Sequence, residues 1–183
     1  MPLKKVIALC GSTRSDSINL RIIEAISILA QDFFEIEIYP DLSKLPHFNP
    51  DNDFEFPSAE ISEFRNILKA HQGILICTPE YAMGVPGTLK NAIDWTVSSM
   101  EFSKKPVALI TASTLGEKCH QSLLATLEII ESKMLPETQL LISYVKTKFN
   151  KEGEFTDLTT LNAVYSLIQS LLKLMDDSEI ELA

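Results

Sequence analysis

Residues 10–19 read Cys10-Gly11-Ser12-Thr13-Arg14-Ser15-Asp16-Ser17-Ile18-Asn19. This short stretch carries most of the groups that hold an anion without a metal. An apolar run from Val6 to Cys10 stops at Gly11, passes through hydroxyl side chains and one arginine, and opens into apolar residues at helical spacing. A strand that turns into a helix in this way aims its loop N–H groups and the positive end of the helix dipole at one spot. Ser12, Thr13, Ser15 and Ser17 add donors, and Arg14 adds a permanent forked charge suited to phosphate. The stretch matches neither the dinucleotide fingerprint nor the P-loop. Read by itself, it fits equally well an N-capped helix after a strand, with Arg14 in solvent.

A second stretch, Pro79-Glu80-Tyr81-Ala82-Met83-Gly84-Val85-Pro86, comes after another apolar run. If the first loop takes a phosphate, this one should take what the phosphate is attached to. Its prolines stiffen the backbone, and Tyr81 and Met83 offer flat or polarizable surface. The N–H groups of Glu80 to Ala82 are expected to meet the edge of a heterocycle. A flat polar ring on a phosphate tail describes flavin mononucleotide (FMN). The competing reading is an ordinary strand-to-helix turn with a surface tyrosine. A third polar stretch, Ser113-Thr114-Leu115-Gly116-Glu117, ends a further apolar run.

Other reactive side chains are scattered. His47, His71 and His120 lack ligand spacing and are expected to be solvated or capping, so no metal site is expected. Cys10, Cys77 and Cys119 form no C-x-x-C pair, and the first two end apolar runs where a thiol behaves as a small hydrophobe. Trp95 reads as packing, Lys90 and Asp94 as an i,i+4 pair. Glu101 and Asp176-Asp177-Ser178-Glu179 read as solvated charge.

The elements that must position these residues alternate. Apolar periodicity gives helices at residues 17–31, 58–70, from about 87 through Val97, 118–133 and 158–175. Strands are expected at 6–10, 33–39, 73–78, 106–112 and 140–145. Between residues 40 and 57, four prolines mark a long irregular loop of the functional or subunit-contacting kind. Strands joined by helices of this length run parallel, with helices on both faces. The expected fold is therefore α/β: one domain over residues 1–183, a three-layer, doubly wound, five-stranded parallel sheet in the flavodoxin-like order 2-1-3-4-5. That order puts a switch point between strands one and three, where ligands bind at the carboxyl ends. All three polar stretches fall there.

With 16 Lys+Arg against 25 Asp+Glu, the net charge of −9 argues against nucleic acid and anionic membrane as partners. Met1 to Lys5 leads directly into the first strand and no apolar run approaches the length of a span, so neither signal peptide nor membrane segment is expected. Free cysteines fit a reduced cytoplasm.

Two separated motifs resemble the NADPH-dependent FMN reductase family: Gly11 to Asn19, and Thr78-Pro79-Glu80-Tyr81 with Pro86-Gly87-Thr88-Leu89-Lys90-Asn91-Ala92-Ile93-Asp94-Trp95 after it. The resemblance covers roughly residues 4–145. It implies that Ser12, Arg14, Ser17 and Asn19 hold the FMN phosphate and that Pro79, Glu80 and Tyr81 line the flavin ring. Ala82 stands where the family usually has Asn and would keep a backbone contact. Ser113 and Thr114 are further ring contacts, in a loop with fewer glycines than is common in the family. The implied activity is hydride transfer from NADPH or NADH to FMN and on to a flavin, quinone or similar small acceptor. The flavin carries the chemistry, so no catalytic side chain is assigned. A homodimer or homotetramer is implied, with the 40s loop and third helix near the interface. A non-enzymatic flavodoxin-like electron carrier and a flavin-free binding module on the same fold are the alternatives.

Overall fold

The structure, a computed structural model, describes residues 3–53 and 57–182. Strands and helices alternate as β1 (Lys4–Cys10), α1 (Ile18–Ala30), β2 (Phe34–Ile38), α2 (Ala59–Ala70), β3 (Gly73–Thr78), α3 (Gly87–Asp94), β4 (Val107–Ala112), α4 (Glu117–Ile129), β5 (Gln139–Ile142) and α5 (Leu158–Leu182). The strands form one sheet in the order β2-β1-β3-β4-β5, every neighbouring pair parallel. This is the expected flavodoxin-like order, with its switch point between β1 and β3.

Strands β3 and β4 are buried along their whole length, because helices cover both faces of the sheet. Val6, Ala8, Leu75, Cys77, Ala108 and Ile110 pack on one side with Ile22 and Ile26 of α1 and Val164 and Leu171 of α5. Ile7, Leu9, Ile74, Ile76 and Leu109 face the other way, toward Phe64 of α2, Ile93 of α3 and Leu123 of α4. Clamped between these two layers, the parallel strands deliver the loops after β1, β3 and β4 to a single rim.

The proline-rich segment is strapped to the core. Residues 42–44 and 50–52 form short 3-10 turns capped by Asp41 and Asn49; residues 54–56 of the expected loop lie outside the described residues. Asn91 Oδ1 accepts from the Phe48 N–H at 2.7 Å, and Asn91 Nδ2 and Trp95 Nε1 donate to the Pro46 carbonyl at 3.0 and 2.8 Å. The Arg65 guanidinium pairs with Asp53, both buried, and its Nε donates to the Trp95 carbonyl at 2.9 Å. Trp95 is thus the packing residue expected, with its indole N–H satisfied.

Several expectations need correction. Helix α3 stops at Asp94, leaving Val97 exposed instead of on the helix's apolar face. Helix α4 ends at Ile129, short of residue 133, because Glu131 turns left-handed (φ 61) and the Val107 N–H donates to the Lys133 carbonyl at 2.9 Å. Strand β5 ends at Ile142, since Tyr144 is left-handed (φ 54) and Val145 opens a 3-10 turn. Helix α5 runs past Met175 to Leu182, so the expected acidic tail begins as helix, with Asp176 pairing to Lys4 at 3.0 Å. Glu101 is buried, not solvated: the Ser99 hydroxyl donates to it at 2.6 Å and Lys69 lies 3.3 Å away. Apolar pattern alone cannot mark a carboxylate that a short loop folds under.

Candidate functional site

The Gly11 N–H donates to the Cys77 carbonyl at 2.9 Å, carrying the β1–β3 pairing one residue past Cys10. A Cβ on Gly11 would lie 2.1 Å from Thr78 Oγ1 and 2.6 Å from Thr78 Cβ, so any larger residue would have to push β3 away from this turn. Ser17 caps α1, its Oγ accepting from the Leu20 N–H at 3.3 Å. Between them Ser12 is half-buried, while Thr13, Arg14, Ser15 and Asp16 are exposed. Among the described residues, the N–H groups from Ser12 to Asp16 meet one partner within the chain, the Ser12 hydroxyl, which takes the Arg14 N–H at 3.4 Å. The loop carboxylate, Asp16, is held by Arg21 at 3.3 Å. Free amides, hydroxyls, a helix N-terminus and an exposed guanidinium are a donor set that fits a phosphate. Asn19 lies deeper than the others: it is buried, and its Oδ1 faces the Cys77 thiol at 3.4 Å.

The second loop departs from expectation. Tyr81 and Gly84 exchange backbone hydrogen bonds of 3.1 and 2.9 Å, closing a tight turn in which Ala82 (φ 48) and Met83 (φ 59) are both left-handed. The Tyr81 N–H is thereby spent on Gly84, and the Glu80 N–H goes to Ser113 Oγ at 3.3 Å. Of the three amides expected to meet a heterocycle, that of Ala82 is the one left without a partner among the described residues. The Glu80 carboxylate is engaged within the chain. It accepts the Cys119 N–H at 2.9 Å and so caps α4, whose own N-cap is the left-handed Gly116 (φ 93). Nothing in the sequence pairs a glutamate with a helix 39 positions on. Tyr81 and Met83 present exposed side chains at the turn, and Pro79 is buried.

Ser113 ties the rim together. Besides bonding Glu80, its N–H donates to the Ile142 carbonyl and its carbonyl accepts from Val145, both at 3.1 Å. Thr114 is exposed, and its carbonyl accepts the Tyr144 N–H at 2.9 Å. Residues 143–147 therefore join the rim as a fourth loop that the sequence did not reveal, because residues 140–145 read as unbroken strand. It places an exposed Tyr144 beside the exposed Leu115, whose carbonyl accepts the Ser143 hydroxyl at 2.7 Å.

Below the rim, His120 is buried with Nδ1 2.9 Å from Thr111 Oγ1, correcting the solvated reading; burial lowers its pKa and keeps it neutral. His71 is a capping histidine as expected, with Nδ1 2.7 Å from the Ile67 carbonyl at the end of α2. Burial raises the thiol pKa of Cys10 and Cys77, and burial with the nearby Glu80 charge pushes Cys119 up to about 11. None of the three is a ready nucleophile at neutral pH. Among the described residues no three His, Cys, Asp or Glu side chains gather as a metal site. A groove of about 730 Å³ lined by Lys5, Glu37, Glu63 and His71 runs along β2 and α2 and takes no residue from the rim.

Residues 4–147 match the family model for NADPH-dependent FMN reductases. The chain belongs to that family. It is accordingly an oxidoreductase of the NAD(P)H-dependent FMN and quinone reductase type. Among its relatives, an NAD(P)H-dependent FMN reductase of Pseudomonas aeruginosa is 32% identical over 91% of this chain and 92% of that one. A quinone reductase of Escherichia coli is 28% identical over 86% and 88%. The flavoenzyme FerB of Paracoccus denitrificans, an NAD(P)H:(acceptor) oxidoreductase, superposes with a TM-score of 0.84 at 23% identity, covering 96% of this chain and 99% of its own.

Proposed function

We propose that this reductase binds FMN across the rim and moves hydride from NADPH or NADH to a quinone, flavin or similar small acceptor. The observation that carries the reading is the donor set at the switch point: amides from Ser12 to Asp16 that, Arg14's apart, have no partner among the described residues, with the Ser17 cap and the Arg14 side chain, all at the carboxyl end of β1. Family membership supports the flavin, and the quinone reductase among the relatives supports the acceptor class. Bound FMN supplies hydride acceptance and its onward delivery.

The chain's residues bind and orient. Ser12, Arg14, Ser17 and Asn19 hold the phosphate. Pro79, Tyr81 and the Ala82 N–H, with Ser113 and Thr114, border the ring, while Glu80 acts on it by fixing the start of α4. No rim side chain is assigned a proton transfer, since His120 is neutral and bonded to Thr111. Replacing Arg14 by Ala is expected to weaken FMN binding by about 1.5–3 kcal/mol, the scale of a charge-assisted hydrogen bond.

A cytoplasmic homodimer or homotetramer belongs to the same reading. Exposed Val97, Met100 and Ile129 surround a groove of about 240 Å³, the kind of apolar surface that a second subunit covers. A light-scattering mass equal to the single 20.5 kDa chain at micromolar concentration would contradict it.

The test is a visible spectrum with and without added FMN, then NADPH and NADH oxidation in the presence of a quinone. Bound flavin with turnover is expected. Bound flavin without turnover would make the chain an electron carrier, and no bound flavin would make it a binding module on a shared fold.

A further inference from the structure

Two cysteines lie beneath the phosphate loop, and their proposed role rests on the FMN-binding reading of that loop. Cys10 and Cys77 are register partners on the parallel neighbours β1 and β3, so their side chains leave the sheet on the same face, the one that packs with α1. Cys77 Sγ is 3.4 Å from Asn19 Oδ1, and both residues are buried. Cys10 Sγ donates to the Ser12 carbonyl at 3.5 Å and lies 3.9 Å from Ser17 Oγ. Ser12, Ser17 and Asn19, assigned to the phosphate along with Arg14, thus each meet a thiol.

The direction of the Asn19 contact is set by the chemistry of sulfur in a buried place. Burial raises the Cys77 pKa well above its ordinary value, so the thiol keeps its proton. A protonated thiol donates to oxygen and is a poor acceptor from an amide N–H, which favours the arrangement seen, with Oδ1 rather than Nδ2 against Sγ at 3.4 Å. The planar amide then turns its Nδ2 donors away from Cys77. Flipped the other way, the same side chain would present an acceptor oxygen to an anion.

We propose that Cys77 is a positioning residue of the phosphate site: its thiol fixes which end of the Asn19 carboxamide faces the bound phosphate. Cys10 steadies Ser12 and Ser17 by the same means. The effect is confined to the phosphate, which makes it separable from general damage to the core.

The experiment compares binding of FMN with that of riboflavin, which has the ring and ribityl chain but no phosphate. Three proteins are titrated by flavin fluorescence: wild type, Cys77→Val, which removes the donor at similar volume, and Cys77→Ser, which keeps it. Cys77→Val is expected to weaken FMN about 3- to 10-fold, the range of one modest hydrogen bond, while riboflavin binding stays where it was. Cys77→Ser should retain the wild-type preference for FMN. An unchanged FMN preference in Cys77→Val, or a parallel loss for both flavins, would overturn the assignment. Wild type binding the two flavins equally would remove the phosphate site itself, and that result is read before any variant is made.

Discussion

Replacing Ala82 by Asn is expected to stabilise the protein. Ala82 and Met83 occupy the centre of the Tyr81–Gly84 turn at φ 48 and φ 59, and two backbone hydrogen bonds hold them there. A left-handed backbone costs an ordinary L-residue about 1–2 kcal/mol, which the packing around the rim must offset. Asn tolerates this region several-fold better, so the exchange recovers roughly 0.5–1 kcal/mol. In a chain of 183 residues a kcal/mol moves Tm by about 2–4 °C, which gives a rise of about 1–4 °C. Gly relieves the strain more fully but adds about 0.4–1 kcal/mol of unfolded-chain entropy, and should come out near wild type. Val, branched at Cβ, should lower Tm. Thermal melts of the three variants monitored by circular dichroism check the order Asn above Gly and wild type above Val. An Asn variant that melts below wild type, or a Val variant that melts with it, would refute the left-handed turn.

Three further outcomes rest on particular contacts. Gly11→Ala forces a methyl to within 2.1 Å of Thr78 Oγ1 and 3.1 Å of a Leu89 methyl; a loss of about 3 kcal/mol in urea unfolding is expected, because Thr78 Cβ, 2.6 Å away, is carried by the buried strand β3 and no side-chain rotation moves it aside. Arg65→Ala strands the buried Asp53 and frees the Trp95 carbonyl. It should cost about 3–5 kcal/mol in the same assay and raise protease cutting in the 40s loop. His120 titrates below its unfolded value because it is buried. Its contribution to stability is therefore complete above about pH 6.5 and is lost as pH falls from there through the folded pKa, where the unfolded chain takes up a proton that the folded one refuses. A His120→Gln variant should lose less Tm than wild type between about pH 7.5 and 5.5.

The sheet was legible because its information is local: apolar runs such as residues 73–78 and 107–112 admit no other place than the middle of a covered parallel sheet. The helix starts at residues 17 and 58 were legible for the same reason, and there the Ser17 and Ser58 hydroxyls each take an amide three residues on. What stayed hidden depends on groups distant in sequence. The Glu80 carboxylate caps α4, Asn91 and Trp95 strap the 40s loop, and Glu101 is buried beside Lys69. The left-handed Tyr144, Ala82 and Met83 also carry no sequence mark, since residues of those types seldom adopt that backbone. The turn from β1 into α1, with its unspent donors, was legible from Gly11 and the hydroxyl residues after it, but the depth of Asn19 comes from its contact with Cys77 on β3.

The most direct test of the central claim is a crystal structure of the protein grown with FMN. Phosphate oxygens are expected within hydrogen-bond distance of the amides between Ser12 and Ser17, of Arg14 and of Asn19 Nδ2, with the ring bordered by the 79–86 and 113–116 loops. A flavin whose phosphate lies away from the β1–α1 loop would contradict it.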